Sequence, residues 1–331
     1  MSVRVRERRE LLGLTQAEVA ATAGLSRQLV TALEAGRHAP SVTAALDLAR
    51  ALDTTVEALF GTGAEAGSWD PVTAGDVSEG TLVSAGRVGD RGVYAAIPRT
   101  HLYGPSWPNA DGIMRAGRVR LFGERLPEGF VVAGCDPALG LAAALLPPIG
   151  PHRTMPVATT SGAAVRALQA GTVHAALVHG PPERLGTPTP GATARALTRW
   201  RVGLASRGPV DLGAIAEGRI TVARRGPGAE AQRALERALG GSPVPSEGPM
   251  ADGHLEAARL VAEGSADAGV TMEAAANLFD LEFVALEEHT VELRIAEQWR
   301  SHPGAAALIE VFSSRELAAR LAALGGYELV S

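Results

Sequence analysis

The stretch that decides the first fold of this chain reads Leu14-Thr15-Gln16-Ala17-Glu18-Val19-Ala20, then Ala23-Gly24-Leu25-Ser26-Arg27-Gln28, then Leu33-Glu34-Ala35-Gly36-Arg37 and Pro40. Thr15 stands where an N-cap is needed, and Glu18, three positions on, can reach back to the Thr15 backbone N–H, so the pair reads as a capping box opening a helix. Gly24 ends that helix. In the next one Leu25, Val30 and Leu33 share one side, Gln28, Thr31 and Ala32 share the other, and Arg27 sits on the rim. Two short helices joined by a glycine turn are the arrangement that lays a second helix into the DNA major groove.

Working outward, the segment continues into Val42-Thr43-Ala44-Ala45-Leu46-Asp47-Leu48-Ala49-Arg50-Ala51-Leu52 and closes on Val56-Glu57-Ala58-Leu59-Phe60. Over residues 3–61 it resembles the Cro/C1-type helix-turn-helix proteins of the XRE family. That resemblance implies that Gln16 holds a phosphate or a base and that Arg27, Gln28 and Thr31 face the major groove. The chemistry agrees, because glutamine and arginine make paired hydrogen bonds to adenine and guanine edges respectively. Arg37, with Arg4 and Arg8, is a candidate phosphate contact, an arginine on a solvated helix face being the competing description of each. A helical domain used only for protein contacts is the competing reading. Through Pro40, six arginines against four glutamates leave a net charge of +2 on a chain whose total is −5. Phosphate attraction is therefore modest, and a homodimer reading two half-sites of double-stranded DNA is expected.

The remaining length requires more than this head: 331 residues, 46% hydrophobic, are enough for a second domain of ordinary core size. The expected organisation is a head at 1–62, a linker rich in small residues at 63–80, and a second domain at 81–331. One cysteine, Cys135, rules out an intramolecular disulfide and a cysteine-rich zinc or iron–sulfur site, so neither metal nor cofactor is expected. The chain opens on an arginine-rich amphipathic segment, and no apolar run approaches the roughly 18 residues of a membrane span. A cytoplasmic protein with no membrane partner is the expectation. No lysine occurs anywhere, which we read as codon bias.

From Thr81 onward, short apolar runs alternate with glycine turns and alanine-rich helices, the pattern of a mixed or parallel sheet covered by helices. Strands are expected at 129–134, 156–160, 173–179, 200–205, 220–223 and 266–270, several of them delivering their C-terminal ends to helix N-termini, where ligands gather in open α/β sheets. Asp136 with Pro137, and His302 with Pro303, read as helix starts. The residues 131–139, Ser161-Gly162, Val178-His179, 253–258, 264–270 and Gly325-Gly326-Tyr327 carry a resemblance to the type II periplasmic-binding-protein fold. Within it they are most similar to the substrate-binding-like domains of molybdopterin-biosynthesis proteins and molybdate-responsive regulators. The expected class is thus an all-α helix-turn-helix head plus an α/β two-lobed domain.

One loop departs from those relatives. Where they carry Asn-Arg…Gly-Ser-Gly-Thr-Arg, this chain has Ala223-Arg224-Arg225-Gly226-Pro227-Gly228-Ala229-Glu230-Ala231-Gln232, without the hydroxyl, with Gln232 for the second arginine and with an added Glu230. The implied small-molecule effector is either an oxyanion such as molybdate or tungstate, or a small organic metabolite. Candidate ligand residues at strand ends and helix starts are Asp136, Thr160, Ser161, His179, Arg225, Gly228, His254 and Thr271. Asp136, Thr160 and Ser161 also read as helix caps, and the two histidines as structural. Trp107 reads as a cover for the linker or a cleft wall. No nucleophile elbow, His-Glu-x-x-His, phosphate loop or dinucleotide fingerprint is present, so no catalytic residue is assigned. The resulting expectation is a one-component DNA-binding regulator whose second domain senses the effector; the alternative is a DNA-binding protein whose second domain has lost its ligand and recruits a protein partner.

Overall fold

A computed structural model describes residues 3–54, 56–60, 69–73, 77–98, 108–123, 126–188, 190–226, 228–241, 244 and 248–330. The chain divides into two units, 1–68 with 123–125, and 69–122 with 126–331.

In the first unit α1 (Val3–Leu11) and α2 (Gln16–Ala23) precede α3 (Arg27–Glu34), α4 (Val42–Ala51) and α5 (Val56–Phe60). The capping box forms: Thr15 Oγ1 accepts from the Glu18 N–H at 3.2 Å, and Glu18 Oε2 accepts from the Thr15 N–H at 2.7 Å. Gly24 closes α2 at φ 65°, a left-handed conformation that glycine adopts without a Cβ penalty. Ser26 and Ser41 cap α3 and α4. Helices of eight residues do not persist alone, so packing of Val5, Val19, Val30, Leu33, Leu48, Leu52 and Leu59 holds them. Arg8 donates to the carbonyls of Leu52 and Asp53, which satisfies the end of α4.

The second unit opens with a feature the sequence reading did not separate. Strands β1 (Asp70–Pro71), β2 (Leu82–Val88), β3 (Arg91–Ala96), β4 (Gly112–Arg115) and β5 (Arg118–Leu121) form a five-stranded sheet in the order β1-β3-β2-β4-β5. Part of the expected linker is therefore strand, because Asp70 and Pro71 pair with Val93 and Tyr94 and bury Val72. Trp107 lies outside the described residues.

A nine-stranded mixed sheet follows. Its first half holds β6 (Phe130–Gly134), α6 (Ala138–Ala144), β7 (Thr154–Ala158), α7 (Ser161–Ala170) and β8 (Ala175–Gly180). The chain then runs through β9 (Ala192–Ser206) and α8 (Leu212–Ala216) into a second half of β10 (Val222–Arg225), α9 (Glu230–Ala238), β11 (Met250–Ala251), α10 (His254–Ala262), β12 (Ala268–Met272) and α11 (Glu273–Leu278). It returns through β13 (Glu282–Ala296) and ends on α12 (Pro303–Phe312), α13 (Arg315–Leu324) and β14 (Tyr327–Leu329). The order is β11-β10-β12-β9-β13-β8-β6-β7, with β14 also on β9. Parallel groups at both ends flank the antiparallel pair β9–β13, whose fifteen-residue strands serve both halves and whose register shifts near Ala285 and Val291. Two lobes joined by two long, bulged strands are the observed architecture, and the strand ends of both lobes converge beside those strands.

Candidate functional site

In the first unit, Gln16 is engaged at both ends of its amide. Its Nε2 donates to Glu34 Oε2 at 2.8 Å, and its Oε1 lies 3.0 Å from the Thr31 hydroxyl. Glu34 in turn pairs with Arg9 at 2.6 Å, so α1, α2 and α3 are tied by one network. Arg27 and Gln28, in the first turn of α3, and Arg37 beyond it are exposed, while Thr31 is half-buried. The side chain of Arg4 lies outside the described residues.

In the second unit the topology gathers Cys135, Ser161 and His179 from the first lobe with Arg225 and His254 from the second. One ligand atom each from Cys135, His179 and His254 lie within 4.8 Å of one another. Ser161 Oγ accepts the His179 backbone N–H at 3.2 Å and lies 3.9 Å from Cys135 Sγ. Burial pushes the Cys135 thiol up to about 11, partly countered by the Arg225 charge and the Ser161 hydroxyl. His179 and His254 are driven well below the ordinary histidine range, first by burial and then by neighbouring positive groups.

Arg225 is 4% exposed, and its Nε and Nη1 have no hydrogen-bond partner. Burial lowers its pKa against the pull of Cys135, Asp252 and Glu256. An unmet donor in such a place costs about 1–3 kcal/mol, and more on a charged group. The two changes in its loop are explained locally. Gln232 Oε1 accepts the Arg225 backbone N–H at 3.0 Å, and Glu230 is neutralised by Arg233 at 3.1 Å and Arg237 at 2.9 Å. Arg224 is turned to the Gly248 carbonyl at 3.1 Å.

The other candidates have structural employment. Asp136 accepts from Ala138 N–H (2.8 Å), Tyr327 O–H (2.8 Å) and Trp200 Nε1–H (3.0 Å), so both carboxylate oxygens are used, while burial pushes its pKa up. Thr160 caps α7 through Ala163 N–H, and the Thr271 hydroxyl donates to the His254 carbonyl. Gly228, at φ 86°, offers its carbonyl to the Gly162 N–H at 3.4 Å, joining the second lobe to the start of α7. Sequence reasoning missed His289 and Trp200. His289 Nδ1 lies 2.8 Å from His179 Nδ1, its Nε2 lies 3.1 Å from Glu287 Oε2, and Trp200 packs against His179, His254 and His289. Nothing local marks them; they meet because β13 pairs with β8 and β9.

Residues 5–59 match the helix-turn-helix family and residues 149–313 the PBP superfamily domain. An uncharacterized HTH-type transcriptional regulator of Methanothermobacter thermautotrophicus is 50% identical over 52 residues, 16% of this chain and 75% of that protein. One from Archaeoglobus fulgidus is 38% identical over 60 residues, 18% of this chain and 86% of its own. Among solved structures, a protein of Clostridium perfringens assigned as a phosphate ABC transporter substrate-binding protein, with bound phosphate, is 13% identical. That alignment covers 62% of this chain and all of the other, at a TM-score of 0.48. The chain belongs to the HTH-type transcriptional regulators and carries a PBP superfamily domain behind its DNA-binding head. Among the described residues no helix is long and apolar enough to cross a membrane.

Proposed function

We propose that this regulator reads a double-stranded operator as a homodimer and that a small anionic effector, an oxyanion or a carboxylate-bearing metabolite, binds between the lobes on Arg225 and changes operator affinity. The observation that carries this reading is the buried guanidinium with Nε and Nη1 unmet, whose charge acts on Cys135, His179 and His254. An anion supplies both the missing acceptors and the missing charge. Gln28, Arg27 and Arg37 are the proposed DNA contacts, with Gln16 and Thr31 setting the pose of α3. Val42 and Leu46, exposed one turn apart on α4, favour that helix as one dimer surface. Closure about β9 and β13 would move the heads relative to half-sites spaced by a helical turn, so a small displacement changes affinity.

The test uses the full chain and a DNA duplex it selects from a random pool. Thermal unfolding is followed against molybdate, tungstate, sulfate, phosphate and small carboxylates, with amines and nucleosides as the contrast. A true effector at about a hundred times its Kd adds about 2.7 kcal/mol of stability. Arg225→Ala should lose that gain and keep effector-free DNA affinity, whereas Gln28→Ala should do the reverse. Normal DNA binding with no stabilisation by any compound would sink the sensor and favour a domain that recruits a protein partner.

A further inference from the structure

We propose that Cys135, His179 and His254 together bind a borderline-soft divalent metal ion of the zinc class, a site that neither the DNA contacts nor an anion on Arg225 requires. One sulfur and two ring nitrogens lie within 4.8 Å of one another where the lobes meet. Thiolate and imidazole are the donors such ions prefer, and three protein ligands leave a fourth tetrahedral position open.

Each ligand is prepared by its surroundings. His254 is 1% exposed, and both of its ring nitrogens are without a partner. A neutral imidazole in that setting has a lone pair to give, and an ion accepts it. The Thr271 hydroxyl, bonded to the His254 carbonyl at 2.8 Å, fixes the backbone that carries the ring.

His179 is prepared through a relay. Arg237 pairs with both oxygens of Glu287 at 2.7 Å, which keeps that carboxylate ionised and able only to accept. His289 Nε2 therefore carries the proton that points at Glu287, and its Nδ1 is the bare nitrogen. His179 Nδ1, 2.8 Å away, must then be the donor. The lone pair of His179 is left on Nε2. A ring held at one nitrogen through a chain that ends in a carboxylate, with the other nitrogen basic, is how metal-ligating histidines are oriented.

Cys135 supplies the charge. As the sulfur–metal bond forms, the thiol proton leaves for solvent and no oxidant is involved. The positive charge added near Arg225 is offset by the new thiolate and by Asp252 and Glu256, which already act on that guanidinium.

The untagged full chain, stripped with chelator, is titrated with Co²⁺ alone and then with Zn²⁺. One equivalent of cobalt should bind with tetrahedral visible bands and a near-ultraviolet thiolate-to-cobalt charge-transfer band, and zinc should displace it. Because the chain has a single cysteine, that band in the unaltered protein can come only from Cys135. His254→Gln should weaken cobalt by about tenfold or more. Absence of the charge-transfer band, or equal cobalt affinity in a folded His254→Gln, would overturn the site. The first readout needs no variant, so a substitution that fails to fold leaves the proposal testable. Anion stabilisation measured on the metal-free chain reads the effector proposal separately: cobalt bands without any anion response would support the metal site while removing the effector.

Discussion

At the residue scale, Asp136 shows how one side chain can look like a ligand group and act as a fastener. It receives hydrogen bonds from β9, from β14 and from the start of α6, through Trp200, Tyr327 and Ala138. Asp136→Ala would leave the buried Ala138 N–H and Trp200 Nε1–H unmet and take the carboxylate from the half-buried Tyr327 hydroxyl, and we expect a loss of about 2–4 kcal/mol in urea unfolding. A loss below about 1 kcal/mol would mean that the carboxylate is not the anchor. The sequence placed an acid at a helix start correctly but held no sign of Trp200 and Tyr327, which lie 64 and 191 residues away. His289 was hidden for the same reason. Arg225 was legible as a candidate from its loop, whereas its burial and unmet nitrogens are products of packing.

At the scale of elements, the helix caps were written locally and formed as written. The Thr15–Glu18 capping box, the Gly24 stop and the His302-Pro303 start each depend on neighbours within four residues. The long strands are different. Gly203 in β9 lies opposite the first register shift of β13, and a Cβ there would run into the Val284 carbonyl oxygen and, at 2.7 Å, the Phe283 ring. Gly203→Ala should push the two strands apart and lower stability by about 2 kcal/mol or more, read as a fall in the thermal midpoint. An unchanged midpoint would show that the pair accommodates a methyl group. Since both lobes hang on these strands, the same substitution should also blunt any effector-induced shift in operator affinity.

At the scale of the whole molecule, burial keeps several histidines neutral. His174 is brought down to about 3, His179 and His254 fall well below the ordinary value of 6.5, and His289 is lowered, in each case chiefly through desolvation. A base whose native pKa is depressed stabilises the fold above its unfolded pKa and forfeits that contribution as pH falls toward the native value. Each such group adds a slope of up to about 1.4 kcal/mol per pH unit below about pH 6.5. Urea midpoints should therefore drop from about pH 7.5 to about pH 5, and His174→Phe should flatten the drop. A midpoint independent of pH across that window would show that these rings ionise freely in the native state.

The sequence by itself determined the helix-turn-helix head, the alternation of strands and helices behind it, and the family to which the chain belongs. Those features rest on caps, turns and periodicities spanning only a few residues. Tertiary structure alone decided that β1 to β5 make a separate sheet, that Gln16 and Thr31 bond to each other, and that Cys135, His179, Arg225 and His254 meet. Their meeting depends on strand order and on the β9–β13 register, which join positions far apart in the chain. Long-range pairing and the burial it imposes turn scattered histidines and one arginine into a site.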